Sequence, residues 1–155
     1  MIREIEEKDI PEVLSLLEEV LKVHNRLYPD LFKDKGSKYD GEEIRQIMKK
    51  ESKKIFVYVE DNNVLGHIFV ELKEYPETLH EYMHKELYID DLCVKKEKRR
   101  QGIASRLYDY VKEYAKSVGC DRITLNVYCK NDAYEFYKNL GLKERKVLME
   151  EKLWK

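Results

Sequence analysis

The stretch from Tyr88 to Cys129 constrains the fold more than any other part of the chain. Tyr88-Ile89-Asp90-Asp91-Leu92-Cys93-Val94 is rich in strand formers. Lys95 to Gln101 is a basic loop. From about Gly102 to Val118 the residues Leu107, Tyr108, Val111 and Ala115 recur at helical spacing, and Gly119 ends the run. Arg122 to Cys129 then reads as a strand again. A strand, a helix and a strand in so short a span predict two parallel strands joined by a right-handed crossover.

The remaining segments arrange themselves around this unit. Ile2 to Ile5 is a short strand. Asp9 can cap a helix, Pro11 suits its first turn, and Glu12 stands three residues after the cap. Val13, Leu14, Leu16, Leu17, Val20 and Leu21 carry that helix to about His24. Tyr28-Pro29 breaks it, and Lys33 to Tyr39 is a loop. Asp40 to Glu43 repeats the capping signature, followed by a second helix marked by Ile44, Ile47 and Met48. Lys54 to Glu60 and Val64 to Leu72 form a hairpin about Asp61-Asn62-Asn63. Glu74 to Lys85 is a loop, with a short helical turn open after Pro76. Asn131 to Leu140 is a helix closed by Gly141, and Lys146 to Trp154 is a last strand.

The order β-α-α-β-β-β-α-β-α-β predicts an α/β (α+β) fold: a mixed, mostly antiparallel central sheet with helices on both faces. A length of 155 residues predicts one domain over 1–155. A chain of this size buries enough surface to need no disulfide or metal staple.

Several function classes are set aside on composition. Thirty basic and 31 acidic side chains give a net charge of −1, which argues against a general polyanion binder. No apolar run is long enough to span a bilayer, and the acidic start Met1 to Glu7 lacks the apolar core of a signal peptide, so a cytoplasmic location is expected. Cys93, Cys120 and Cys129 are odd in number and without CxxC spacing, which argues against a disulfide framework. His24, His67, His80 and His84 form no metal-binding pattern, so no metal site is expected. Cys93 is expected to be a buried thiol.

The chemistry is concentrated in Leu92-Cys93-Val94-Lys95-Lys96-Glu97-Lys98-Arg99-Arg100-Gln101-Gly102-Ile103-Ala104. A helix N-terminus offers unpaired N–H donors and partial positive charge. Gly102 and the small Ala104 let an anion approach them, and Arg99 and Arg100 add charge at the mouth. Such a cradle suits a pyrophosphate. The loop is neither a P-loop nor a GxGxxG fingerprint.

Arg99-Arg100-Gln101-Gly102-Ile103-Ala104 resembles the R/Q-x-x-G-x-G/A acetyl-CoA signature of the GCN5-related N-acetyltransferase (GNAT) family. Leu92-Cys93-Val94 matches the Leu-x-Val before it, and Asn131 to Leu142 matches the family's downstream N-x-x-A/x-x-F-Y-x-x-x-G-F/L element. The similarity covers about Tyr88 to Leu142. One departure is Ala104, where a second glycine often stands, and some relatives have Glu where this chain has Tyr88.

The resemblance implies an acetyl-CoA-dependent N-acetyltransferase acting on a primary amine by direct attack. It implies that the N–H groups of Gln101, Gly102, Ile103 and Ala104, with Ser105 behind, hold the pyrophosphate, flanked by Arg99 and Arg100. Leu92, Cys93 and Val94 would line the pantetheine arm, and this strand would splay from the next. Asn131 and Tyr134 would lie by the cofactor, and Tyr137 would stand by the sulfur as general acid. The family's acceptor-side residues fall two and four before the leucine, at Asp90 and Tyr88. Alternation puts 88, 90, 92 and 94 on one face and 89, 91 and 93 on the other. Asp90 is therefore the preferred base or amine anchor and Tyr88 the second. Asp91 has the opposite parity unless a bulge reverses it.

Tyr28, Pro29, Leu31, Phe32 and Tyr39, with Glu71, Glu74 and Tyr75, are candidates for the acceptor pocket. Their acidic and tyrosyl character points to a cationic amine, either a small molecule or a protein group. Neither nucleic acid nor membrane is expected as a partner, and Leu148, Met149 and Trp154 on the last strand admit a homodimer. Two rival readings remain. A non-catalytic acyl-CoA sensor would use the cradle without Tyr137, and a nucleic-acid-binding protein would use the 95–100 loop and weaken steeply with salt.

Overall fold

The computed structural model describes residues 1–154. Its strands are β1 (Ile2–Glu4), β2 (Lys53–Glu60), β3 (Asn63–Tyr75), β4 (His84–Val94) and β5 (Arg122–Leu125). Its helices are α1 (Ile10–Leu27), α2 (Gly41–Met48), α3 (Ile103–Ser117) and α4 (Ala133–Asn139). Short 3-10 turns occupy Glu7–Asp9 and Lys96–Lys98. The strands lie in the order β1-β2-β3-β4-β5. The first three pairings are antiparallel, and β4 pairs with β5 in parallel across α3. The mixed, mostly antiparallel sheet expected from the sequence is thus formed.

Each face of the sheet carries its own core. Leu107, Val111 and Ala115 of α3 pack with Phe56, Ile68, Leu87 and Ile89 on one face. Val13, Leu16 and Leu17 of α1 and Ile44 of α2 pack with Val57, Phe69 and Cys93 on the other. In α1 the buried positions 10, 13, 16 and 17 make one stripe, and the helix turns its charges outward. Each fully buried aliphatic side chain stabilises the fold by about 1.5–3 kcal/mol.

Four local expectations are corrected. Asp9 does not cap α1 through its side chain. Its carboxylate instead accepts the Glu6 N–H at 2.7 Å and a two-pronged bond from Arg3 at 2.7 and 3.1 Å. α1 also runs on to Leu27 rather than ending near His24, because nothing before Tyr28-Pro29 interrupts it. β5 stops at Leu125, not Cys129, because its ladder with β4 ends at the Ile89–Leu125 pair. Residues 146–154 form no strand. A strand needs a ladder, and among the described residues 143–154 make no main-chain hydrogen bond.

The register of β3 on β4 holds the most consequential irregularity. Phe69 faces Asp91 and Val70 faces Ile89, so Asp90 is an extra, unpaired residue. Leu87, Ile89 and Val94 share the α3-side core, with Leu92 packed against it, while Cys93 belongs to the α1-side core. The bulge therefore reverses the alternation. Asp90 and Asp91 both turn toward α1 and α2, and Asp90 does not share a face with Leu92 and Val94 as simple parity predicts.

Candidate active site

The loop after β4 builds the anion cradle from its backbone. Gly102 takes φ +80° and Arg100 φ 65°, both left-handed. The first intrahelical bond of α3 runs from the Arg106 N–H to the Gly102 carbonyl at 3.0 Å. The preceding N–H groups of Ile103, Ala104 and Ser105 thus have no carbonyl to bond within the helix. No side chain caps this end, and no acidic residue sits in the first turn. A Cβ built on Gly102 meets nothing within 4 Å, so open space faces these donors. Ile103 is buried and Ala104 packs against the α3-side core, so each presents its N–H alone. Arg99 folds back, its Nε donating to the Val94 carbonyl at 3.1 Å. That bond fixes the loop to the end of β4.

The second component is a strand edge. β4 pairs with β5 only from Glu86 to Ile89, so Asp91 to Val94 pair with β3 alone. The main chain on the other side is free to pair with an extended amide-bearing arm. Gly66 of β3 makes the close approach on the paired side possible, because a Cβ there would lie 2.9 Å from the Cys93 carbonyl oxygen. Where β4 and β5 part, Asn126 donates to the Tyr88 hydroxyl at 3.3 Å and Lys73 lies 4.1 Å over the Tyr88 ring. Unpaired helix N–H groups, basic flanks and an open strand edge in sequence fit a diphosphate joined to a pantetheine arm.

The two aspartates differ sharply. Asp90 uses both oxygens: Oδ2 accepts from Tyr39 Oη at 2.5 Å, and Oδ1 from Lys38 Nζ at 2.9 Å. It ties the α1–α2 loop to β4. Asp91 has one oxygen engaged, Oδ2, at 2.5 Å from Nε2 of the fully buried His67. Its Oδ1 carries no hydrogen bond and is not sealed from solvent. The His67 Nδ1 has no partner at all. Tyr137 is buried, yet its hydroxyl is likewise free of protein partners and unsealed. Burial, then the charge of Asp91 and the neighbouring Tyr108, push the Tyr137 phenol well above its usual range. The phenol stays protonated and lies near enough to Asp91 to feel its charge. Cys93 is not a nucleophile: burial, with Asp91 adding to it, pushes its thiol up to about 12, and Sγ points to the Leu16 carbonyl.

Other expected residues fall in different places. Asn131 stands one residue before the N-cap of α4, and its Oδ1 accepts from the Ala133 N–H at 2.9 Å. The Tyr134 hydroxyl is taken by Glu144, so it is turned from the cleft toward the C-terminal segment. Tyr28 and Phe32 do gather, with His24, around Tyr128 at 4.8–5.4 Å between ring centroids. Burial depresses the imidazole of His24, against the pull of Asp91. Tyr75 stacks on His84 and Glu74 pairs with Lys85 at the other end of the sheet, away from this cluster. Sequence reasoning missed His67 and Lys38. The signal for His67 was a polar residue inside the otherwise apolar run Val64 to Val70.

Comparison with known proteins agrees with this geometry. The Acetyltransferase (GNAT) family model matches residues 17–142. No curated protein matches the sequence. Among solved structures, a point mutant of the BH1408 protein from Bacillus halodurans is 28% identical, with 99% of each chain covered and a TM-score of 0.96. A Trypanosoma brucei acetyltransferase shares the fold at 19% identity, 99% of each chain and a TM-score of 0.72. So does the aminoglycoside N-acetyltransferase AAC(6')-Iy, in complex with CoA, at 15% identity, 98% of each chain and a TM-score of 0.71.

Proposed function

The chain belongs to the acetyltransferase (GNAT) family, with acetyl-CoA as its co-substrate, and from that premise we propose that it acetylates a small cationic primary amine held by Asp91. Acetyl-CoA supplies the acetyl group as a thioester. The protein's own residues do the rest. The N–H groups of Ile103, Ala104 and Ser105, flanked by Arg99 and Arg100, hold the diphosphate. The free edge of Asp90 to Val94 holds the arm and offers N–H donors to the thioester oxygen.

The observation that carries this reading is a pair of polar atoms without a protein partner, Asp91 Oδ1 and the Tyr137 hydroxyl, close enough that the charge of Asp91 acts on the phenol. Asp91 Oδ1 anchors the ammonium; once one proton has passed to solvent the neutral amine attacks the thioester carbon, and Asp91 takes a further proton as the carbon–nitrogen bond forms and the nitrogen becomes far more acidic. Tyr137 faces the leaving sulfur. A thiol near ~8.5 is a stronger acid than a phenol near ~10, so complete proton transfer from Tyr137 is uphill by ~2 kcal/mol or more. Burial widens that gap, so Tyr137 stabilises the thiolate by donating a hydrogen bond, and solvent supplies the final proton. Asp90, saturated by Tyr39 and Lys38, shapes the acceptor wall and is not the base.

Three arguments favour a small cationic acceptor. Asp90, Asp91 and Glu71 all lie near enough to Tyr39 for their charges to raise its phenol, so the wall is acidic. His24, which packs with Phe32 and Tyr128, lies near enough to Asp91 to feel its charge, so aromatic rings stand beside that carboxylate. A protein with the same fold is an aminoglycoside N-acetyltransferase.

A panel of amines with acetyl-CoA, read by free-thiol release, tests the activity. Asp91→Asn is expected to lower kcat by about 10²-fold or more with coenzyme A binding intact. Asp90→Asn is expected to raise KM chiefly. Full activity in Asp91→Asn alongside an inactive Asp90→Asn overturns the assignment. Coenzyme A binding without thiol release from any amine replaces the enzyme by a sensor.

A further inference from the structure

The loop between α1 and α2 carries a primary amine to the bulge of β4. Lys38 Nζ donates to Asp90 Oδ1 at 2.9 Å and to the Asp90 main-chain carbonyl at 3.1 Å. Asp90 is the extra residue of the bulge, directly before the stretch of β4 that β5 leaves uncovered. The neighbouring Tyr39 bonds the other Asp90 oxygen. Ser37 Oγ donates to the Tyr39 carbonyl at 2.6 Å, and Asn25 Nδ2 donates to the Phe32 carbonyl at 2.8 Å. These bonds hold the loop at both ends and so fix the root of the Lys38 side chain.

That amine stands where the reaction would take place. A donor with its diphosphate on the start of α3 and its arm running along β4 from Val94 toward Asp90 brings its thioester to the bulge. Asp90 and Asp91 turn to one side of the sheet, and Lys38 reaches Asp90 from that side. The His24 imidazole lies near enough to both Asp91 and Lys38 to feel their charges. Lys38 is also free to move. Its side chain is 46% exposed, and an ion pair so open to water costs little to break. Once the bond to Asp90 opens, rotation within the side chain carries Nζ toward the unbonded oxygen of the adjacent Asp91. Two other lysines approach the cleft but are held differently. Lys73 Nζ stands 4.1 Å over the Tyr88 ring and Lys130 Nζ 5.3 Å over the Tyr28 ring, and neither bonds to Asp90 or Asp91.

Given the acetyl transfer proposed above, on which this inference rests, we propose that the chain acetylates its own Lys38 within a single copy when no other amine occupies the cleft. The Lys38 ammonium first gives one proton to solvent. The neutral amine attacks the thioester carbon, and the carbon–nitrogen bond forms as the carbon–sulfur bond breaks. Asp91 takes the second proton from nitrogen and returns it to solvent. Coenzyme A leaves as the thiolate and takes up a proton from solvent. A tethered amine needs no encounter, which gives it an advantage over every lysine that lacks this placement. The resulting amide carries no charge, so the ion pair with Asp90 ends.

Incubating the full chain with acetyl-CoA at neutral pH, with no amine added, and mapping its peptides by mass spectrometry tests this. Lys38 is expected to gain one acetyl group about 10-fold faster or more than Lys73, Lys130 or any other lysine. The rate constant is expected to stay the same on dilution of the protein, since amine and site belong to one copy. Asp91→Asn, with coenzyme A binding checked, is expected to slow labelling of Lys38 by about 10²-fold and to leave the slow chemical labelling of surface lysines as it was. Lys38→Arg is expected to leave no lysine labelled at the fast rate. Uniform labelling, fast labelling of another lysine, a rate constant that rises with protein concentration, or labelling of Lys38 that Asp91→Asn does not slow overturns the proposal. Amines of the panel acetylated beside an unlabelled Lys38 overturn this inference alone. Coenzyme A binding with neither product overturns the proposed function as well.

Discussion

Asp90 and Asp91 are adjacent in sequence and opposite in circumstance. One is saturated by a lysine and a tyrosine; the other keeps an oxygen open because its second oxygen is held by a histidine with no other task. His67 is therefore a positioning residue for Asp91. His67→Leu is expected to lower kcat and to destabilise the fold by about 1–3 kcal/mol, since it leaves a nearly buried carboxylate without its donor. His67→Gln, which can still donate, is expected to recover much of the activity. Steady-state kinetics beside urea unfolding separates the two effects, and equal kcat in the Leu and Gln variants removes the role. The sequence exposed both aspartates but ranked them by parity. The bulge that reverses parity belongs to the pairing of β3 with β4, and no single strand carries a mark of it.

At the scale of elements, α1 and α3 were legible because their apolar stripes and their punctuation agree. The cradle at the start of α3 was legible for the same reason, with glycine where φ is positive and no acid in the first turn. Gly102→Ala tests it. The new methyl clashes with nothing in the protein, so the cost to stability is the left-handed backbone, about 1 kcal/mol. The methyl does enter the space in front of the donors, and coenzyme A affinity is expected to fall about 10-fold, a loss of roughly 1.4 kcal/mol by calorimetry. Unchanged affinity would move the diphosphate elsewhere. Residues 146–154 read as a last strand and form none. The pattern is that of a strand, but strand formation is a property of two partners, and among the described residues this segment pairs with none.

Across the whole molecule, two buried carboxylates set the response to acid. Burial by itself raises Asp9, but the Arg3 guanidinium and the Glu6 N–H outweigh it and hold the carboxyl below its usual value. Burial likewise raises Glu86, and Arg145 and Thr124 outweigh it in the same way. Both groups are depressed in the folded state, so their contribution is complete above the unfolded carboxylate range, about pH 4. It is lost as pH falls through the lower folded values. Arg3→Met is expected to reduce stability at pH 7 by about 1–3 kcal/mol and to flatten the fall between about pH 5 and pH 3. Urea unfolding at three pH values reads both, and an unchanged slope refutes the Asp9 assignment. No helix among the described residues is long and apolar enough to cross a membrane.

The unpaired residue at position 90 has a practical corollary for redesign. β4 is two short rods with separate phase, one running from His84 to Ile89 and one from Leu92 to Val94. Recoding the first leaves the facing of the second unchanged, and the second carries the edge on which the proposed function lays the donor, so the far end of the strand can be varied without disturbing that edge.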